Sequence, residues 1–158
     1  MKYFTYELWK SFNSLDKIVR DKVNVEWKAN TELYVEEFKK IESRFTKNFL
    51  KVLRDNDYFH DFSLNGFVVQ RNSKNKFSKV ILQLTNGGSN YELIYNDVMK
   101  LNVNYSTDAN ELGFDNGFST YGYNEFLEVS DKLLSHEILF SSGATILVWF
   151  TKIRKINK

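Results

Sequence analysis

Near Tyr58 the spacing of apolar residues changes from the period of a helix to the period of a strand, which leaves few folds open to the chain. Before that point Val19, Val23, Trp27, Tyr34, Phe38, Ile41 and Phe45 recur at threes, fours and a single seven. That spacing lays an apolar stripe along one face of a helix on the order of 40 Å long, at ~1.5 Å per residue. Glu32, Glu36, Lys39 and Lys40 take the other side, where opposite charges three or four apart support a helix slightly. Thr5 is placed to cap a short helix through Ser11, and Ser14 or Asp16 to cap the long one. A side-chain oxygen at such a position satisfies a first-turn amide. A third helix is predicted after Thr46, with Phe49, Leu50 and Leu53 facing inward.

Beyond Tyr58 the period is two. Residues 78–85 and 91–105 read as strands, and in the second Tyr91, Leu93, Tyr95, Met99, Leu101, Val103 and Tyr105 alternate with polar residues. Asp97 falls on the apolar side and predicts a bulge or a sharp bend. Residues 133–141 and 145–153 are two more strands, joined by Ser141-Ser142-Gly143. Asn86-Gly87-Gly88 marks another hairpin, since these residues tolerate positive φ. Residues 66–70 and 121–129 complete a set of about six, and residues 106–117 read as a surface loop. Helices and strands are segregated along the chain, which disfavours βαβ units. The expected fold is one α+β domain over residues 1–158. Its helical part (1–57) would cover one face of a mostly antiparallel sheet built from residues 58–158. Trp149, in the last hairpin, is expected to be largely buried.

Composition narrows the function. With no cysteine the chain has no disulfide framework, thiolate metal site or cysteine nucleophile. Its longest apolar run, at residues 144–150, is far short of the ~20 residues of a membrane span. Polar residues interrupt the opening decapeptide where a secretory leader would be apolar, so a cytoplasmic protein with no membrane association is expected. Twenty-two bases against twenty acids give no polyanion-binding signature. Aromatics reach 16%, which calls for a bulky core or a tyrosine-rich surface.

The two histidines are each followed by an acid, as His60-Asp61 and His136-Glu137. Imidazole and carboxylate together make a metal site or an acid–base pair, so these four are the candidate catalytic residues. Against that, neighbours on a strand point to opposite faces, so His136 and Glu137 do not converge on one ion. No metal and no cofactor are therefore expected, and a structural role is preferred for both histidines. Ser141-Ser142-Gly143 lacks the strand-to-helix elbow of a serine nucleophile, and Asn86-Gly87-Gly88 lacks the Lys-Ser/Thr of a phosphate loop. For single-stranded nucleic acid the candidates are Lys74, Lys76, Lys79 and the basic tail (Lys152, Arg154, Lys155, Lys158). Tyr91, Tyr95, Tyr121 and Tyr123 would be the stacking platforms. The near-zero net charge disfavours this.

Three short stretches carry a resemblance: Met1-Lys2-Tyr3-Phe4-Thr5 with Leu8-Trp9, the central Phe59-His60-Asp61, and His136-Glu137-Ile138-Leu139-Phe140 with Gly143. Together they resemble a domain-of-unknown-function family of short proteins from Gram-positive bacteria. The resemblance implies a cytoplasmic bacterial protein with helices before a sheet, and no activity. Similar His-Asp and His-Glu-Ile-Leu-Phe patterns occur in small proteins suspected of neutralising toxins.

The leading expectation is a non-enzymatic module that binds a protein partner, immunity-type toxin neutralisation being its concrete form. A metal-binding protein or hydrolase centred on His60, Asp61 and His136 is the second reading. A single-strand nucleic-acid binder using a tyrosine-bearing sheet face is the third. The long helix, rich in apolar residues, also offers a route to a homo-oligomer.

Overall fold

Three side-chain oxygens start three helices. Thr5 accepts from the Leu8 amide and opens α1 (Tyr6–Phe12), Asp16 accepts from Ile18 and opens α2 (Lys17–Ile41), and Thr46 accepts from Phe49 and opens α3 (Lys47–Asp55). The computed structural model describes residues 1–71, 78–105 and 117–157. Within them the chain continues as β1 (Ser63–Arg71), β2 (Ser78–Asn86), β3 (Ser89–Val98), β4 (Lys100–Asn104), β5 (Tyr121–Ser130), β6 (Leu133–Phe140), β7 (Thr145–Phe150) and β8 (Lys152–Asn157). The α+β class and the antiparallel pairing are as expected. The loop expected at residues 106–117 lies almost wholly outside the described residues, as do Lys74 and Lys76.

The single six-stranded sheet is corrected to two four-stranded antiparallel sheets, ordered β1-β2-β3-β8 and β4-β7-β6-β5. Two stretches that read as single strands are each broken at a corner. Asp97, at φ 52°, bends the end of β3, Met99 separates β3 from β4, and Thr151 separates β7 from β8. The corners face one another: Thr151 Oγ1 donates to Asp97 Oδ2 at 3.0 Å, and the Met99 amide donates to the Trp149 carbonyl at 2.9 Å. Both long strands therefore leave one sheet and enter the other at the same place, a device of steeply crossed sheet packing. The hairpin turns are as expected, with Gly87 and Gly88 at positive φ between β2 and β3, and Gly143 between β6 and β7.

One apolar core joins both sheets and the helices. Tyr34, Phe38 and Ile41 of α2 and Phe49, Val52 and Leu53 of α3 meet Leu82, Tyr95, Phe126, Ile138, Ile146 and Phe150 of the sheets. Trp149 is not in that core. Along β7 the buried positions are Ile146, Val148 and Phe150, so strict alternation puts Trp149 on the outer face, half-buried, with the Lys100 ammonium 4.7 Å from its ring centre. Residues 2–4 are held by one side chain. The buried Glu125 carboxylate on β5, 1% exposed, accepts the amides of Lys2, Tyr3 and Phe4, each at 2.7 Å.

Candidate functional site

Between α3 and β1 the backbone does something unusual. Asn56 ends α3, its amide bonded to the Val52 carbonyl at 3.1 Å. Asp57, Tyr58 and Phe59 then have φ of 45°, 54° and 66°, and Asp61 follows at 64°. None is glycine. A left-handed run costs L-residues roughly 1–2 kcal/mol each, so the surroundings must over-determine it. They do. Phe59 is fully buried, edge-on to Phe62 at 5.2 Å and to Tyr91 at 5.6 Å. The Tyr58 carbonyl accepts from Asn124 Nδ2 at 3.0 Å, and the Asp61 amide donates to the Tyr121 carbonyl at 2.9 Å. With Phe59 sent inward, Asp57, Tyr58 and His60 are left along one wall of a cleft.

The cleft has a volume of about 540 Å³ and lies between α2, the end of α3, the left-handed turn and β5. Phe4, Trp27, Tyr34, Phe38, Tyr58 and Tyr123 give it a partly aromatic lining. The Tyr123 ring is packed 4.7 Å from Trp27, 5.7 Å from Phe4 and 5.3 Å from His60, so the four form one continuous aromatic floor. Partial burial raises the pKa of the Tyr123 hydroxyl, and the nearby carboxylates of Asp57 and Asp61 raise it further. At the mouth Arg54 is engaged by Glu42, and Lys39 by Glu36 at 2.7 Å. His60 Nδ1 lies 3.1 Å from Asp61 Oδ1.

His136 is elsewhere. It is fully buried on β6, stacked on Phe126 at 3.7 Å between ring centres. Its Nδ1 faces the Tyr95 hydroxyl at 2.7 Å, and its Nε2 faces Asn124 Oδ1 at 3.3 Å and the Tyr121 hydroxyl at 3.2 Å. The neighbours decide the tautomer. Asn124 spends its Nδ2 on the Tyr58 carbonyl, so its oxygen is turned to His136 and requires an N–H at Nε2; Nδ1 then accepts from Tyr95. Burial holds the imidazole pKa well below its ordinary value, so the ring is neutral. Asn124 thus links the cleft turn to the core.

Of the four sequence-selected residues, His60 lines the cleft with Asp61 beside it, His136 lies in the core behind Asn124, and Glu137 is on the opposite face of β6. The structure does not bring them to one point. Among the described residues no group of three histidine or carboxylate side chains is placed to hold a metal ion. Tyr95 and Tyr121 are fully buried and Tyr91 and Tyr123 are half-buried among other rings, so they do not share one open stacking face. Lys152, Arg154 and Lys155 belong to β8 rather than to a free tail, and Lys79 is half-buried on β2. No described helix is long and apolar enough to cross a membrane.

Sequence reasoning missed the cleft residues Asp57, Tyr58, Trp27 and Arg54. Asn56-Asp57 carries the one available signal, since both residues tolerate the left-handed region, but nothing marks Tyr58 and Phe59 for it. Glu125 was missed too, although Asn124-Glu125 stands between the apolar pairs of Tyr121, Tyr123 and Phe126, Leu127. Comparison with models of known protein families and with curated proteins finds no match.

Proposed function

We propose that the protein is a non-enzymatic interaction module that docks another protein on the outer face of α2, with neutralisation of a toxin as its concrete form. The observation that carries this reading is a second apolar face on that helix. Val23, Trp27, Tyr34, Phe38 and Ile41 turn toward the rest of the chain. At about 100° per residue, Ile18, Val25, Ala29 and Leu33 fall in a narrow strip on roughly the far side, and Leu15 continues it before the cap. Leu15 is 96% exposed, Ile18 81%, Val25 71% and Leu33 57%. Single exposed apolar side chains are ordinary, but a file of five on one helix forms a patch that another surface can cover. Across residues 15–33 the bases Lys17, Arg20, Lys22 and Lys28 are matched by the acids Asp16, Asp21, Glu26 and Glu32, so charges of both signs border the strip. The fitting occupant is a protein with an apolar ridge and a mixed polar rim.

The test begins with the host protein that the intact chain captures, purified and titrated back against wild type and against the Val25→Asp/Leu33→Asp variant. The expected result is an affinity loss of about thirty-fold or more, with an unchanged melting temperature. Equal affinity of the two proteins overturns the proposal. So does a wild-type homodimer that the same variant abolishes, because the outer face is then occupied by a second copy.

A further inference from the structure

The cleft on the other side of α2 carries an inference independent of the outer face. We infer that it is a binding site for an organic cation, an ammonium or guanidinium group on an apolar stem. Two features converge there. The lining is partly aromatic, with Trp27, Tyr58 and Tyr123 beside the apolar Val35 and Phe38, and π-systems attract a cation that leaves water to meet them. The lining acid Asp57 has no Lys or Arg partner among the described residues, whereas both lining bases are already engaged, Arg54 by Glu42 and Lys39 by Glu36. The unmatched charge is negative.

The left-handed turn is what puts Asp57 there. Its strained backbone sends Phe59 to the core and leaves the residues on either side along the cleft wall. The Tyr123 hydroxyl already experiences the Asp57 and Asp61 carboxylates, so a cation above that ring would meet the same negative potential. A neutral ligand would leave the carboxylate unanswered, and an anion would oppose it.

The cation has two sources, a free small molecule or an Arg or Lys side chain of a protein, and the probes separate them. Choline represents the first and the end-blocked tripeptide acetyl-Gly-Arg-Gly-amide the second. The neutral controls are 3,3-dimethylbutan-1-ol and the corresponding citrulline tripeptide. Binding to the full chain is followed through the Trp27 indole resonance, assigned with Trp27→Phe. We expect saturable shifts with at least one charged probe, weaker by about three- to thirty-fold for its neutral counterpart. Asp57→Asn should weaken the charged probe by a similar factor and keep the melting temperature, because asparagine tolerates a positive φ as well as aspartate does. Saturation by choline identifies a free cation, and saturation by the arginine peptide alone identifies a protein-borne one. The inference is overturned if neither charged probe saturates, if the neutral controls bind equally well, or if Asp57→Asn leaves affinity unchanged.

Discussion

The Tyr95 hydroxyl donates to His136 Nδ1 across 2.7 Å, a bond that ties β3 of one sheet to β6 of the other inside the core. Because burial keeps His136 neutral in the folded chain, the unfolded chain binds a proton that the folded chain refuses. The sign follows. Stability is complete above the ordinary histidine pKa near 6.5 and falls as the pH drops below it, by up to about 1.4 kcal/mol per pH unit. Urea unfolding at steps from pH 7.5 to 5 should show that slope, and the His136 ring-proton resonance should stay put over the same range. A titrating His136 resonance would contradict the buried neutral ring. Tyr95→Phe, which leaves Nδ1 unpartnered, should cost about 1–3 kcal/mol.

Glu125 makes a second demand on the core. Its carboxylate receives three consecutive amides from residues 2–4, and these charge-assisted bonds hold Tyr3 and Phe4 against Tyr34. Glu125→Gln keeps the shape but turns an NH₂ toward amide donors. A loss of about 2–3 kcal/mol is expected in chemical denaturation, with early hydrogen exchange at residues 2–4. Protected amides there in the variant would show that packing alone holds the segment.

On β7 the two adjacent aromatics should behave differently. Phe150 is fully buried against Tyr95, whereas Trp149 lies outside under Lys100. Phe150→Ala should cost roughly 3–5 kcal/mol, as other core aromatic truncations do. Trp149→Ala should cost about 1–2 kcal/mol, its remaining contacts being a half-buried face and one cation–π pair. Equal losses would mean that the register of β7 against β6 is wrong.

Gly122 lies where α1 closes over β5. A Cβ there would meet the Trp9 ring at 2.6 Å and the Leu139 carbonyl at 3.0 Å, and the carbonyl, as backbone, has little freedom to withdraw. Gly122→Ala should therefore displace the Trp9 ring and cost about 1–3 kcal/mol, read together as a shifted indole resonance and a lowered denaturation midpoint. Wild-type values for both would show that Trp9 is loosely seated.

Much of the secondary structure was legible because it is decided locally. Thr5, Asp16 and Thr46 cap helices through amides two or three residues away, and Gly87, Gly88 and Gly143 turn hairpins by their own φ. Even Asp97, polar on an apolar face, announced the bend that it makes. What that bend does was not legible, since its meaning depends on Thr151, 54 residues later, which turns at the same corner and carries both strands from one sheet into the other. Burial of Trp149 failed for a related reason, because alternation gives two faces and only the pairing of the sheets says which is inner. The cleft was the least legible of all. Tyr58 and Phe59 have no intrinsic preference for a left-handed backbone, and they adopt it because Asn124, Tyr91 and Tyr121, distant in sequence, hold it in place. The sequence by itself determined where the helices begin, which segments are extended, and that their apolar faces must meet. The tertiary structure alone decided which residues stand together at the cleft, because that choice rests on contacts between segments far apart in the chain.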